Sequence, residues 1–244
     1  MELKLKKIIR KILRNLGIEI SRYNPSNSSA AQIVRTLELN DINMVFDIGA
    51  NEGQFARELR EHGYKGKIVS FEPLSNAWEN LSYFASCDPK WVVHQRAAIG
   101  DHDGSVEIYV AGNSVSSSVL PMLQSHLSAA ENSAYIGSEY VPIFKIDSIA
   151  NLYLTPGINL FIKIDTQGFE WQVLDGASKT LRHARGILCE MSLVPLYSGQ
   201  SLYRDIIDRL NLEGFNLWAL QKGFTDSHTG QSLQIDGVFL RNDI

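Results

Sequence analysis

Residues 44–51 read MVFDIGAN and continue to Gly53; one helical interval later comes IVSFEP, which ends at Glu72 and Pro73. Val45, Phe46 and Ile48 make a buried strand with Asp47 near its carboxyl end, and Gly49 and Gly53 bracket a turn into a helix through Phe55, Ala56 and Leu59. An apolar strand that ends in a glycine turn and a helix start is how an α/β sheet opens a nucleotide-sized crevice. Gly49 lets the chain turn sharply and keeps a Cβ away from a ligand. The helix start at Gly53 offers unpaired N–H groups and the positive end of a dipole, which suit a carboxylate or a phosphate. Glu72 closes the next strand, residues 67–71, where an acid accepts hydrogen bonds from both hydroxyls of a ribose.

The pattern also says which nucleoside is expected. A dinucleotide fingerprint needs three glycines so that a pyrophosphate can lie against backbone, but Asn51 stands in the middle position and the motif is D-x-G-x-N-x-G. A crevice for S-adenosylmethionine turns the same loop toward the methionine moiety, tolerates Asn51 and has a role for Asp47. The donor-site candidates are therefore Asp47, Gly49, Asn51, Gly53 and Glu72, with Ala97 at the end of the following strand. Two other readings stand beside this one. A nicotinamide-dependent oxidoreductase of related fold is opposed by the missing glycine. A non-catalytic S-adenosylmethionine- or carbohydrate-binding module has no need of the charged cluster described below.

With 244 residues, 44% apolar and 20% charged, the chain is long enough to bury a large core as one α/β unit, and no Pro/Gly/Ser-rich linker divides it. Cys87 and Cys189 offer neither a disulfide framework nor metal-ligand spacing, which suits a reducing, cytoplasmic compartment. No apolar run approaches the ~20 residues of a membrane span, and a secretory signal is not expected. The net charge of −4 makes no case for nucleic acid as a partner.

The charge is nevertheless concentrated. Residues 1–22 carry Lys4, Lys6, Lys7, Arg10, Lys11, Arg14 and Arg22 against Glu2 and Glu19. Leu5, Ile8, Ile9, Ile12, Leu13 and Leu16 form a helical stripe opposite those bases. Residues 1–24 are expected to be a basic amphipathic helix ahead of a catalytic domain at 25–244. The helix either packs on the domain or on a partner subunit, or makes peripheral contact with an anionic membrane.

Periodicity predicts helices over 29–39, 52–62 and 75–86, the last capped by Ser75, and strands over 43–48, 67–72 and 91–97. A strand at 105–110 precedes a polar segment, 112–138, that has the composition of a lid. Strand, helix and strand resume at 141–145, 149–152 and 158–164. A helix from Phe169, a strand over 186–191 and a helix over 203–210 follow. Stretches near 216–220 and 234–240 read as an antiparallel pair that closes a mainly parallel sheet with helices on both faces.

A second chemical cluster is FIKIDTQGFE, residues 161–170. Lys163 in so apolar a strand is costly unless paired, and it shares a face with Asp165. Asp165 ends its strand beside the crevice, and Glu190, in ILCEMS, ends the next and is expected to pair with Lys163. Asp165, Lys163 and Glu190 are the candidate catalytic residues, with Asp165 as base, or Lys163 if burial depresses its pKa. Their other reading is a structural ion pair. A divalent ion between Asp165 and Glu190 is a further option, although two acids do not make a site and no metal ligands are assigned. Gly168 permits the following turn, and Glu170 fits as an acid favoured at a helix start. His126 and His228, in loops, are secondary candidates for the base, while His62, His94 and His183 read as structural. Tyr197 and Gln200 are placed to touch an acceptor, with a loop anchor as the plain alternative for Tyr197. Trp78, Trp91, Trp171 and Trp218 read as packing residues.

The segments FDIGANEGQF, VSFEP, AAIGDHDGSVEIYV, IKIDTQGFEWQVLDGA, CEMSLVPLYSGQ and IDGVFL, in this order over roughly residues 44–241, resemble the FkbM family of S-adenosylmethionine-dependent methyltransferases. The resemblance implies a Rossmann-like class I methyltransferase fold, S-adenosyl-L-methionine as donor and O-methylation of a sugar hydroxyl in a glycan, glycolipid or glycosylated metabolite. It carries over Asp47, Gly49, Asn51, Gly53 and Glu72 as donor-site positions and aligns Asp165, Gly168 and Glu170 with the family's second motif. Thr166 and Gln167 stand where many relatives have Val-Glu. The basic helix lies outside the resemblance.

Overall fold

The structure is a computed structural model and describes residues 2–18 and 23–242; Glu19 and Arg22 of the basic segment lie outside the described residues. In chain order the elements are α1 (Glu2–Asn15), α2 (Ser29–Leu39), β1 (Met44–Ile48), α3 (Gln54–Glu61), β2 (Lys67–Phe71), α4 (Ser75–Ala85), β3 (Trp91–Val93), β4 (Ala98–Ile99) and β5 (Gly104–Ala111). The second half adds α5 (Gln124–Ala129), β6 (Tyr135–Phe144), α6 (Ile146–Ile149), β7 (Leu160–Ile164), α7 (Glu170–Asp175), β8 (Ala184–Ser192), α8 (Tyr203–Leu212), β9 (Phe215–Lys222) and β10 (Gln234–Arg241).

The main sheet runs β3-β2-β1-β7-β8-β10-β9. β1 pairs in parallel with β2 and β7, β7 with β8, and β10 runs antiparallel to both β8 and β9. The mainly parallel sheet and its closing antiparallel pair are as the alternation of elements predicts. The chain winds outward from β1 to β3 and then returns to β1's other side at β7, so a crevice opens between the carboxyl ends of β1 and β7.

The central strands are buried on both faces, which is why they read as continuous apolar runs. On one face Phe46, Ile162, Ile187 and Phe239 pack with Val173, Leu174, Ile206 and Leu210 of the later helices. On the other Val45, Ile68, Phe161 and Leu188 pack with Ile33, Leu37, Leu59 and Leu81 of α2, α3 and α4. Each such side chain contributes about 1.5–3 kcal/mol of burial.

Several expectations are corrected. The strand predicted over 91–97 stops at Val93, because the chain leaves the sheet edge and Ala97 N–H turns to the Glu72 carbonyl. Residues 98–99 instead enter a small second sheet, ordered β4-β6-β5. Ser75 does not cap α4: Leu74 holds that place, and the Ser75 N–H and hydroxyl donate to Glu139 of β6, which also binds Arg96 at 2.6 Å. The segment 112–138 is not a free polar lid. It holds α5 and the start of β6, pairs with β5 through Tyr109 and Ser118, and is tied down where the Ser118 hydroxyl donates to the Gln167 carbonyl. Trp218 is 49% exposed on the edge strand, whereas Trp91 is buried and donates to Ser70. Ile9 and Ile12 of α1, and Leu16 just after it, are exposed.

The small sheet and the main sheet meet where two glycines approach. A Cβ on Gly176, at the end of α7, falls 1.8 Å from the Gly100 carbonyl oxygen, and the Gly176 carbonyl accepts the Asp147 N–H. No side chain fits there. Gly176→Ala should therefore lower stability by about 1–3 kcal/mol through overpacking, measured as a shift in the denaturant midpoint; an unchanged midpoint would show that the two backbones are free to separate.

Candidate active site

A cavity of about 430 Å³ lies over the carboxyl ends of the central strands. Six of the nine candidate residues line it: Gly49, Asn51, Glu72, Ala97, Lys163 and Asp165. Asp47, Gly53 and Glu190 do not.

At one end the β1 strand turns through Gly49, with φ +74°, and Asn51, with φ +46°. A Cβ on Gly49 would sit 1.8 Å from the Asp165 carbonyl oxygen, so glycine is required both by the backbone angle and by the closeness of β7. Asn51 supports its own left-handed conformation, since Oδ1 accepts the Glu52 N–H and the Gln54 amide. The Asn51 N–H donates to Glu72 Oε2 at 2.7 Å, and the Leu74 N–H donates to Oε1 at 2.9 Å. Both oxygens of Glu72 are thereby fixed while the carboxyl still faces the cavity. Burial pushes Glu72 up to about 7, against the pull of those two N–H groups. Phe71, Ala97, Ala98 and Phe169 give this end apolar walls.

Beneath the loop lies Lys163. Its ammonium donates to the Gly49 carbonyl at 2.8 Å and stands 3.3 Å from Asp47 Oδ1 and 3.3 Å from Asp165 Oδ2. Burial opposes the charge, but Asp165 and Asp47 outweigh it and hold the ammonium above the ordinary lysine range. Lys163 is thus no base. Asp47 is fully buried, held by Lys163 and by the Ser70 hydroxyl, and serves as the anchor of Lys163. At Gly53 the space for a side chain is filled by Trp91, 2.7 Å from an added Cβ.

Glu190 does not pair with Lys163, because the β7·β8 register sets Leu188 opposite Lys163. Its Oε2 instead accepts the amides of Gln167 and Gln234, each at 2.7 Å. Burial, with Asp165 nearby, raises it well above the ordinary glutamate range. Gln167, with φ +54°, also donates to Asp165 Oδ1 at 3.0 Å and accepts the Tyr197 hydroxyl at 2.8 Å. Tyr197 is fully buried and is the loop anchor, while Gln200 Oε1 accepts the N–H groups of Leu196 and Tyr197; neither lines the cavity. Glu170 braces the turn by accepting the Thr166 and Gly168 N–H groups, and burial raises it to about 7. His126 is buried against Tyr197 and Phe224 and pushed down to about 4 by burial, and His228 lies in the exposed 226–229 turn. Among the described residues no three His, Cys, Asp or Glu side chains are placed to hold a metal ion.

Asp236 on β10 also lines the cavity, and the sequence reading passed over it. The signal was there, an acid inside the apolar strand QIDGVFL, but the register that faces it to Glu190 is tertiary.

The family pattern of the methyltransferase FkbM domain matches residues 47–217. The chain belongs to the FkbM methyltransferase family. A curated relative, 2-O-methyltransferase NoeI from Sinorhizobium fredii, is 28% identical over 209 residues, covering 81% of this chain and 83% of the relative. Among solved structures, magnesium protoporphyrin IX methyltransferase (ChlM) from Synechocystis, with bound SAM, superposes at a TM-score of 0.48 and 11% identity, covering 97% and 96% of the two chains. An rRNA methylase from Streptococcus thermophilus gives 0.46 and 12%, covering 92% and 99%. This FkbM-family protein is a methyltransferase that uses S-adenosyl-L-methionine on a class I fold.

The buried acids make a pH prediction. Glu72, Glu170 and Asp236 stand near about 7 when folded, against 4.5, 4.5 and 3.8 as ordinary values. A group raised on folding contributes stability that is full below its unfolded pKa and lost as pH climbs through the folded one. The thermal midpoint of the ligand-free enzyme should fall between pH 5 and pH 7.5 and level off above that; a midpoint that rises across this window would contradict the assignment.

Proposed function

We propose that this enzyme is an O-methyltransferase that acts on a sugar hydroxyl of a glycan, a glycolipid or a glycosylated metabolite. The observation that carries the reading is the chemistry of the cavity beyond Lys163. There the acids Asp165 and Asp236 line the cavity opposite an apolar flank of Ile33 and Phe55. Acceptor oxygens facing a flat apolar wall match a polyol ring, whose O–H groups donate from its rim. The 2-O-methyltransferase relative supports transfer to oxygen.

Bound S-adenosylmethionine supplies a methyl already activated on a sulfonium sulfur. The residues of this chain then have to bind, align and exclude water. Glu72 is assigned the two ribose hydroxyls: its oxygens are pinned by the amides of Asn51 and Leu74, and charge-assisted bonds from the diol complete their coordination. Gly49 and Asn51 line the cavity beside Glu72, where the donor would lie, and Phe71, Ala97 and Phe169 would wall its apolar part. Asp165, immobilised by Lys163 on one oxygen and Gln167 on the other, orients the acceptor hydroxyl.

A second observation bears on where the acceptor is met. Ile9 and Ile12 of α1 and Leu16 just after it are exposed together with Lys7, Arg10 and Lys11, and no described helix is long and apolar enough to cross a membrane. This supports peripheral contact with an anionic membrane that bears the acceptor. The free thiols of Cys87 and Cys189 favour the cytoplasmic side.

Glu72→Ala should weaken S-adenosylmethionine and S-adenosylhomocysteine alike by about 1.5–3 kcal/mol, ten-fold to over a hundred-fold; unchanged affinity by calorimetry in the folded variant removes the ribose assignment. Transfer of labelled methyl to a panel of methyl glycosides and glycolipids tests the acceptor class. For the helix, the full chain should sediment with phosphatidylglycerol vesicles, and both deletion of residues 1–22 and added salt should abolish this while donor binding persists. Absence of sedimentation by the full chain at low salt would remove the membrane contact.

A further inference from the structure

Three acids stand side by side where the carboxyl ends of β7 and β8 meet the amino end of the antiparallel β10. Glu190 is the register partner of Asp236, and Asp165 follows the β7 residue Ile164 that faces Cys189, which places it beside Glu190. Two of the three are bonded by neighbouring side chains. Asp165 is held by Lys163 and Gln167, and Glu190 by Gln167 and Gln234. The Asp236 carboxyl has no hydrogen bond or ion pair among the described residues, yet Asp236 lines the cavity.

The groups around Asp236 leave it free to act. Glu190 faces it from β8, with Gln221 opposite it on β9 and Lys222 at the same wall. The Gln221 amide is occupied by the Ser29 carbonyl and by Gln32. From β7, Asp165 adds negative charge, and the Lys163 ammonium is committed to Asp47, Asp165 and Gly49. An unpartnered carboxyl beside a fixed one is a division of labour: one oxygen pair aligns a hydroxyl, and the other is available to take its proton.

We propose that Asp236 is the general base of methyl transfer, accepting the proton of the acceptor hydroxyl that Asp165 orients; this rests on the reading of the acceptor as a sugar alcohol. As the acceptor oxygen bonds to the methyl carbon, the C–S bond breaks with its electron pair going to sulfur. The hydroxyl proton passes to the Asp236 carboxylate. An ether, a neutral thioether and a carboxylic acid result, and the acid returns its proton to water. Burial, reinforced by the charge of Asp165, pushes Asp236 up to about 7, in the range where a carboxylate is an effective base near neutral pH.

The test uses the full-length enzyme, labelled donor and methyl glycosides of deoxyhexoses, with S-adenosylhomocysteine calorimetry to verify the fold and donor site of each variant. Asp236→Asn should lower kcat by about 10²- to 10⁴-fold with donor affinity unchanged, and Asp236→Glu should recover part of the loss. The acid limb of the kcat profile near pH 7 should persist in Asp165→Asn, whose loss is shared with acceptor KM, and vanish from the residual activity of Asp236→Asn. Independently of turnover, infrared difference spectra of the S-adenosylhomocysteine complex should show a protonated-carboxyl band that is lost as pH rises through about 7 and is diminished in Asp236→Asn. Wild-type kcat, or a persisting acid limb, in Asp236→Asn would overturn the proposal and leave the sugar reading intact. Silence of the wild-type enzyme on every glycoside, with normal S-adenosylhomocysteine binding, would overturn the sugar reading and with it the need for this base.

Discussion

The ammonium of Lys163 is the point through which the two halves of the site are joined. It is buried in the strand at the switch point of the sheet, and it bonds to the Gly49 carbonyl, to Asp47 on β1 and to Asp165 at the end of its own strand. A charge so placed is tolerated only when its partners are fixed, since an uncompensated one costs several kcal/mol. The requirement runs in both directions. The glycine loop is held at one height over β7, and Asp165 is held at the cavity wall, by the same three contacts.

Around that clasp the protein keeps carboxyl groups out of water without giving each a counter-ion. Glu72, Glu170 and Glu190 are satisfied by backbone N–H groups or by glutamine amides instead. Neutral donors offset the cost of burying a charge less than a lysine does, so burial governs and holds all three acids above the ordinary glutamate range. Each bonded carboxyl oxygen keeps a further lone pair that a hydroxyl could meet. Gln167 links these sets. Its left-handed backbone, fixed by Tyr197 below and by Ser118 from the 112–138 segment, points one amide at both Asp165 and Glu190.

Much of this was legible in the linear chain, because parallel strands buried on both faces must be apolar runs, and any charge or glycine at their carboxyl ends then stands out. MVFDIGAN, the acid of IVSFEP and the Lys163–Asp165 pair are conspicuous for that reason, and they led directly to the donor, the family and the switch-point crevice. The helices and the antiparallel closing pair followed from periodicity. Weaker stretches misled: residues 91–97 have strand composition throughout, but hydrogen bonding to the Glu72 carbonyl draws the chain off the sheet, and the polar 112–138 run hides a helix that docks on the loop after β8.

What only the tertiary structure decided is register and depth. Alternation along a strand tells which residues share a face, so Lys163 and Asp165 were matched correctly, but it does not tell which residue of the neighbouring strand lies alongside. Register puts Leu188, not Glu190, next to Lys163, and it brings Asp236 to the cavity from 71 positions beyond Asp165. The glycine turn after β1 and the acid after β2 are local features at strand ends, so the sequence determines them. The wall made by Asp165, Gln221 and Asp236 is assembled from β7, β9 and β10, and it exists only once those strands are paired.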